Sequence, residues 1–171
     1  MKNQTITACF TGHRPQKLPF GTDESAIGCQ KLKKRLTQEI ERLITEQGVT
    51  HFISGFALGT DIYCAEIVLK LKGKYPNIKL ESAVPCETQA IKWRAADRER
   101  YYELLSKCDE ETLLQTSYTP GCMQRRNRYM VDKSQFVLAV WDGTPSGTGN
   151  TVRYAKEQGK KLLLIDPKAI L

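Results

Sequence analysis

The sequence predicts an α/β fold, a three-layer α/β/α sandwich around a mostly parallel central sheet of about six strands. Apolar, β-prone runs alternate with segments of helical periodicity from one end of the chain to the other. Polar turns, several of them rich in glycine, follow these runs, as in strand-to-helix connections. The 171 residues contain no repeat or linker, so we expect one domain over residues 1–171.

Each element follows from its local pattern. Strands are predicted at residues 6–10, 51–54, 79–84, 111–116, 134–142 and 161–166. Helices are predicted at residues 24–47, 61–72, 87–107, 121–133 and 150–158. The strand at 134–142 is the most apolar, and we expect it at the centre of the sheet.

Composition restricts the function classes. The net charge of +7 favours anionic partners. No apolar run approaches the roughly 18 residues of a membrane span, and the N-terminal residues show no secretion signal, so we expect a cytoplasmic protein without membrane insertion. The six cysteines form no CxxC pair, and we therefore expect neither a disulfide framework nor a metal site.

The first candidate ligand segment is TGHRP, directly after the first predicted strand. Ligands of open parallel sheets bind beyond the carboxyl ends of the strands. Gly12 permits a tight turn and a close backbone approach, while His13 and Arg14 stand where side chains can reach a ligand. A plain polar exit from the strand is the alternative.

The second candidate is SGFALGTD, residues 54–61, between the second strand and the next helix. Its predicted ligand-side residues are Ser54, Gly55, Ala57, Gly59, Thr60 and Asp61. Glycines let backbone N–H groups face an anion, and a helix N-terminus adds partial positive charge. Asp61 would orient the loop or bind a ribose hydroxyl. The alternative is a glycine-rich turn capped by Thr60 or Asp61.

A similar segment, DGTPSGTGNT, follows the fifth strand. Its candidate residues are Asp142, Gly143, Gly147, Thr148, Gly149, Asn150 and Thr151. The same backbone and dipole argument makes it a second phosphate-binding candidate, with a flexible loop as the alternative.

Two further groups are candidates through their side chains. The spacing predicts Trp93 on a helical face with arginines, where it would stack a base or pack into the core. Arg126 and Asn127 belong to the basic run RRNR, which would pair with phosphates or form a solvated turn.

Taken together, TGHRP, SGFALGTD and GTGNT resemble the SLOG superfamily of Rossmann-like nucleotide-binding proteins, and within it the YpsA-like family of bacterial proteins. SGFALGTD and RRNR are also similar to elements of the DNA-processing A (Smf) family, which binds single-stranded DNA. The lonely-guy enzymes, also of this fold, carry a glutamate after the glycine loop that assists N-glycosidic cleavage. Here Val152 and Arg153 occupy its place, so the resemblance implies binding rather than this hydrolysis.

The first functional hypothesis is therefore a binding protein for a nucleotide, nucleotide sugar, ADP-ribose or NAD-like molecule, acting as a sensor or regulator. The resemblance links it to bacterial cell division and to self-association. The second is a nucleotide N-glycosidic or phosphoester hydrolase, whose candidate acids and bases are Asp61, Glu87, Asp97 and Asp142. The third is single-stranded nucleic-acid binding, favoured by charge but lacking alternating aromatic and basic residues.

Overall fold

Strands and helices alternate along the chain in the computed structural model, which describes residues 4–170. The strands are β1 (Thr7–Gly12), β2 (His51–Ser54), β3 (Lys79–Val84), β4 (Glu110–Leu113), β5 (Phe136–Val140) and β6 (Lys161–Ile165). The helices are α1 (Ile27–Thr45), α2 (Thr60–Leu71), α3 (Ala95–Ser106), α4 (Cys122–Lys133) and α5 (Gly147–Glu157), with a 3-10 turn at Pro15–Lys17. Residues 1–3 and 171, which the single-domain prediction includes, lie outside the described residues.

The six strands form one sheet in the order β4-β3-β2-β1-β5-β6, and every pairing is parallel. The chain starts at β1, moves outward to β4, and then returns to place β5 on the other side of β1. The loops after β1 and β5 consequently lead to opposite faces of the sheet. This divergence opens a crevice above the carboxyl ends of the two strands, the usual ligand position in such sheets.

The core is divided by the sheet into two layers. Side chains alternate between the faces along each strand, so Ala8 and Phe10 pack with α1 and α2, whereas Cys9 packs with α4 and α5. The second layer consists of fewer and smaller buried side chains. The predicted α/β/α sandwich of the Rossmann-like type is confirmed.

Several predicted boundaries differ from the structure. The helix expected at 87–107 is confined to α3, because Gln89 and Ala90 turn into the core through tight i to i−3 backbone bonds. The strand expected at 111–116 is the shorter edge strand β4. β5 is buried throughout, as expected, yet it lies beside the edge strand β6, since β1 and β2 occupy the centre.

Two expectations from composition concern the thiols and membrane spans. All six cysteines are free thiols, and five of them are buried. Within residues 4–170, no helix is both long and apolar enough to cross a bilayer.

Candidate functional site

A cavity of about 250 Å³ opens at the carboxyl ends of β1 and β5. Segments far apart in the sequence line it: the turn after β1, the start of α2, the first turns of α4, and the start of α5. Nine residues predicted from the sequence lie in its wall: Gly12, His13, Arg14, Ala57, Asp61, Arg126, Asn127, Gly147 and Thr148. The structure therefore gathers both glycine-rich segments and the RRNR run around one space.

The 54–61 loop is tightly closed against its neighbours. The backbone N–H of Phe56 donates to Ser54 Oγ, that of Ala57 donates to Asp61 Oδ2 at 3.3 Å, and that of Thr60 donates to the carbonyl of His13. These groups are engaged within the protein. Of this loop, Ala57 and Asp61 line the cavity.

Glycine is required in this loop by close packing. A Cβ on Gly55 would lie 2.7 Å from Cζ of Arg126, and a Cβ on Gly59 would lie 2.8 Å from the carbonyl oxygen of His13. Gly59 also has a φ of 89°, in the region that favours glycine. Gly12 meets the start of α2 in the same manner, because its Cβ would collide with Thr60.

Arg126 forms the floor of the cavity, and its side chain is almost completely buried. Nη1 donates to the carbonyl of Gly55 at 2.5 Å and to Gln89 Oε1 at 3.2 Å, while Nε donates to Asn127 Oδ1 at 2.8 Å. Among the described residues, the one hydrogen-bond acceptor of Nη2 is the thioether of Met123, at 3.8 Å. One edge of the guanidinium thus holds the fold, and the other keeps donors available for an anion.

Asp61 and Arg126 are oppositely charged groups buried in the same wall. Burial raises the pKa of Asp61, and Arg126 and the N–H of Ala57 offset part of this rise. Burial lowers the pKa of Arg126, and Asp61 opposes that shift; the guanidinium remains a cation. Asp61 is the only carboxylate lining the cavity in the described part of the chain.

His13 is buried and joins the first strand to the fifth. Its backbone N–H donates to the carbonyl of Val140, extending the β1–β5 ladder, and its Nε2 lies 2.9 Å from Asp142 Oδ1. Thr144 donates to Asp142 through its hydroxyl and backbone N–H, and these bonds, together with His13 and Lys168, hold the pKa of Asp142 well below its ordinary value. Asp142 is therefore an anion engaged in the structure of the 142–151 loop.

The N-terminus of α5 is open toward the cavity. Ser146 caps the helix by accepting the N–H of Gly149 at 3.0 Å. Gly147 and Thr148 line the cavity, and their N–H groups have no acceptor among residues 4–170. A Cβ on Gly147 would meet no atom within 4 Å. The first turn of α5 thus presents unpaired donors and the positive end of a helix dipole to free space.

Two exposed cations complete the rim. Arg14 has no carboxylate partner in the described range, and Lys17 reaches across to donate to the carbonyl of Pro145 at 3.3 Å. With Arg126, three cations face the single carboxylate of Asp61. The cavity therefore carries net positive charge, which suits an anionic ligand.

The other residues predicted from the sequence do not line the cavity. Ser54, Gly55, Gly59 and Thr60 support the wall from behind, and Asp142, Gly143 and Gly149 shape the 142–151 loop. Asn150 and Thr151 line a neighbouring groove of about 340 Å³ between α4 and α5. Trp93 packs edge-on against Tyr101, with centroids 5.2 Å apart, and borders a separate pocket of about 440 Å³.

Sequence reasoning missed six lining residues. They are Thr11, Gln16, Lys17, Met123, Gln124 and Ser146. Met123 and Gln124 precede Arg126 and Asn127 by three positions in α4, a helical spacing that would have placed them on the same face. Lys17 lies in the 3-10 turn beyond TGHRP, and no signal in the sequence indicates that it bridges to Pro145.

The hydrolase hypothesis depends on where its four candidate carboxyl groups lie. Glu87 is exposed, Asp97 is paired with Arg94, and Asp142 is held by His13 and Lys168. Behind Gly149, Val152 is buried and Arg153 bonds to Asn150. Asp61 is the one candidate that faces the cavity.

Comparison with solved structures reveals a shared fold. DNA processing protein A from Streptococcus pneumoniae superposes with a TM-score of 0.64 at 18% identity, covering 95% of this chain and 50% of that one. The same protein from Helicobacter pylori, solved in a study of its single-stranded DNA binding mode, gives 0.61 at 19% identity, covering 94% and 65%. The chain thus spans about half to two thirds of the length of these proteins.

Comparison of sequences reveals closer relatives among bacterial proteins. An uncharacterized SPbeta prophage-derived protein, YoqJ of Bacillus subtilis, is 38% identical over 139 residues, covering 74% of this chain and 81% of the relative. A UPF0398 protein of Halalkalibacterium halodurans is 34% identical over 143 residues, covering 80% and 75%. The model of the YpsA family, described as the YspA SLOG family, matches residues 8–169. With this match over nearly its whole length, the chain belongs to the YpsA family of SLOG proteins.

Proposed function

We propose that the cavity binds a phosphate-bearing ligand of the nucleotide type, and that the protein acts as a sensor or regulator. The observation that carries the proposal is the placement of two kinds of donor in one cavity. Arg126, whose Nη2 bonds to no oxygen among the described residues, and the open N-terminus of α5 both line it. Two donors of this kind bind phosphate well because one is a fixed charge and the other a row of backbone N–H groups.

The opposite charge of Asp61 restricts the ligand further. A carboxylate repels phosphate, and it accepts hydrogen bonds from hydroxyl or amino groups. A ligand with an anionic end and a sugar or base end could bind the cationic donors and Asp61 together. A nucleotide, nucleotide sugar, ADP-ribose or NAD-like molecule has both ends. A volume of about 250 Å³ lies just below the roughly 300–1,000 Å³ of small-molecule sites. Part of such a ligand would therefore extend over the rim, past Arg14 and Lys17.

The test uses Gly147→Asp, a substitution in the open first turn of α5. The Cβ of an aspartate there would meet no atom within 4 Å, and its carboxylate suits the helix dipole, so we expect the fold to be retained. Its carboxylate would occupy the expected phosphate position. Isothermal titration with ADP, ADP-ribose, NAD and a nucleotide sugar should show binding to the wild type and a loss of about tenfold or more, roughly 1.4 kcal/mol, in the variant.

The matched control is Asn150→Asp, which makes the same change of charge one turn further along α5. Asn150 lines the neighbouring groove and not the cavity, so affinity for the small ligand should be unchanged. Absence of binding by every member of the panel to the folded wild type would contradict the proposal. Equal loss in both variants would show a general charge effect and not a site at Gly147.

Single-stranded DNA binding is the second candidate, and a specific surface favours it. The groove between α4 and α5 is continuous with the cavity through Gln124 and Asn127, and its walls carry the exposed Arg128 and Arg153. Arg128 also lies over the ring of Tyr154, at 5.0 Å from its centroid. The Helicobacter pylori protein that shares this fold binds single-stranded DNA, which supports DNA binding as the second candidate.

Fluorescence anisotropy with labelled oligothymidylate separates the two candidates. DNA binding along the groove should weaken steeply with salt, since neutralised phosphates release counterions. The double substitution of Arg128→Gln and Arg153→Gln should reduce both the affinity for DNA and its dependence on salt concentration. Lys34→Gln, at an exposed position of α1, should change neither. Unchanged binding in the double variant would exclude the groove as the DNA site.

A further inference from the structure

A second cluster of chemically reactive side chains lies away from the cavity, toward the amino ends of the strands. His51 begins β2, Glu110 begins β4, and Glu81 lies between them on β3. Their imidazole nitrogen and carboxylate oxygens all lie within 4.8 Å of one another. No part of the proposed function uses these three residues.

The two carboxylates stand directly opposite each other. Glu81 and Glu110 are register partners on the neighbouring strands β3 and β4. Two ionised carboxylates at this separation repel each other. Neither carboxylate has a lysine or arginine nitrogen within 4.0 Å in the described residues. A cation between the strands would relieve this repulsion.

Glu81 is unusual in being a buried carboxylate on an interior strand, with 4% of its surface exposed. Its Oε2 accepts hydrogen bonds from the hydroxyls of Tyr129, at 2.7 Å, and Thr112, at 3.1 Å. Its Oε1 lies 2.8 Å from His51 Nε2. One oxygen is thus fixed by outer partners and the other is directed at the imidazole, the arrangement that orients a metal-binding carboxylate.

We infer that His51, Glu81 and Glu110 form a site for a divalent first-row transition-metal ion such as Zn²⁺. One imidazole with two carboxylates suits zinc, cobalt and manganese, unlike the all-oxygen sets that magnesium and calcium prefer. Ligand atoms at about 2.0–2.2 Å from a tetrahedral ion lie roughly 3.3–3.6 Å apart, so His51 Nε2 and Glu81 Oε1, now 2.8 Å apart, would separate slightly. The side chain of Glu110 is exposed and can adjust its rotamer to reach that separation.

The ion would replace the direct contact between His51 Nε2 and Glu81 Oε1 and would join three adjacent strands. Water would complete its coordination at the exposed side, where Glu110 leaves an access path. The expectation from the sequence of no metal site relied on ligand spacing along the chain. Here the three ligands come from separate strands, and only the sheet register brings them together.

Calorimetric titration of ZnCl₂ into protein freed of metal by EDTA tests the inference, with Co²⁺ absorption as a second measurement. The wild type should bind one ion with micromolar affinity or tighter and show a raised melting temperature. Glu110→Gln and His51→Gln should each weaken binding at least about tenfold, and Tyr129→Phe should weaken it about tenfold through lost orientation of Glu81.

Glu111→Gln is the matched control, because Glu111 neighbours Glu110 on β4 but points to the opposite face. It should leave Zn²⁺ affinity unchanged. Glu110 is exposed, and the amide introduced by His51→Gln can still hydrogen-bond to Glu81, so circular dichroism should confirm that both test variants fold. No binding by the wild type, undiminished binding in both test variants, or an equal loss in Glu111→Gln would each overturn the inference.

Discussion

The 54–61 loop and the 142–151 loop have similar compositions and positions, but they differ in how closely their glycines pack against neighbouring residues. Each connects a parallel strand to a helix, and each contains glycines before the first turn. The glycines of the first loop lie against Arg126 and His13, and its N–H groups at Phe56, Ala57 and Thr60 are engaged. In the second loop, Gly147 faces open space at the cavity. Glycine in a strand-to-helix loop can therefore serve backbone packing or ligand access, and composition does not distinguish them.

The largest expected effect is the loss of stability on substituting Arg126, which contacts the closed 54–61 loop. Substitution by Met removes the hydrogen bonds to Gly55 and Gln89 and leaves Asp61 as a buried anion without its counter-charge. Breaking a buried charged network by losing one partner costs about 3–5 kcal/mol. Urea unfolding at neutral pH measures this loss.

Arg125→Met is the control for that measurement, because Arg125 is the exposed neighbour in α4. It should change the free energy of unfolding by no more than about 0.5 kcal/mol. A loss below about 1 kcal/mol in Arg126→Met would mean that Arg126 does not hold the 54–61 loop closed.

A paired substitution compares the loops directly. Gly59→Ala introduces a Cβ 2.8 Å from a carbonyl oxygen at a positive φ, and we expect it to cost about 1–3 kcal/mol of stability. Gly147→Ala meets no atom and should stabilise α5 by about 0.4–1 kcal/mol. Thermal and urea unfolding of both variants check this contrast. Equal destabilisation would contradict the distinction between a closed and an open loop.

The aspartates of the two loops should respond oppositely to pH. The raised pKa of Asp61 means that the folded state favours its neutral form, so its contribution to stability falls as pH rises above 3.8. Asp61→Asn should therefore gain stability relative to the wild type as pH increases. The pKa of Asp142 is lowered, so its contribution is present above 3.8 and is lost as pH falls.

Unfolding of Asp61→Asn and Asp142→Asn between pH 3 and pH 7 measures both trends. The deficit of Asp142→Asn should be largest at neutral pH and should diminish in acid. The same sign of pH dependence in both variants would show that the two carboxylates have similar environments, against the contacts described above.

The smallest expected effect concerns Trp93. Its indole packs on Tyr101 and borders a different pocket, so Trp93→Phe should leave the affinity of a small nucleotide ligand unchanged. Titration with the same panel used for Gly147→Asp measures it. A clear loss of affinity would indicate that the bound ligand reaches past Met123, which lines both pockets.

Most of the fold could be predicted from the sequence because apolar β-prone runs alternate with segments of helical periodicity, and each pattern is local to its own strand or helix. The strand at Lys79–Val84 matches the predicted bounds, and the candidate segments do meet at one end of the sheet. The environment of each group could not be predicted. Whether the N–H of Ala57 faces a ligand or Asp61, and whether Arg126 is buried or solvated, depends on contacts between distant residues. The same reason hid the His51–Glu81–Glu110 cluster.

The contact between Gly55 and Arg126 has a consequence for how the family can vary. The two positions are 71 residues apart in the chain, yet the guanidinium occupies the space that any side chain at position 55 would need. A larger residue at 55 is compatible only with a shorter one at 126. Across homologous sequences these two positions should therefore change together, and such covariation would identify relatives whose cavity has lost its cationic floor.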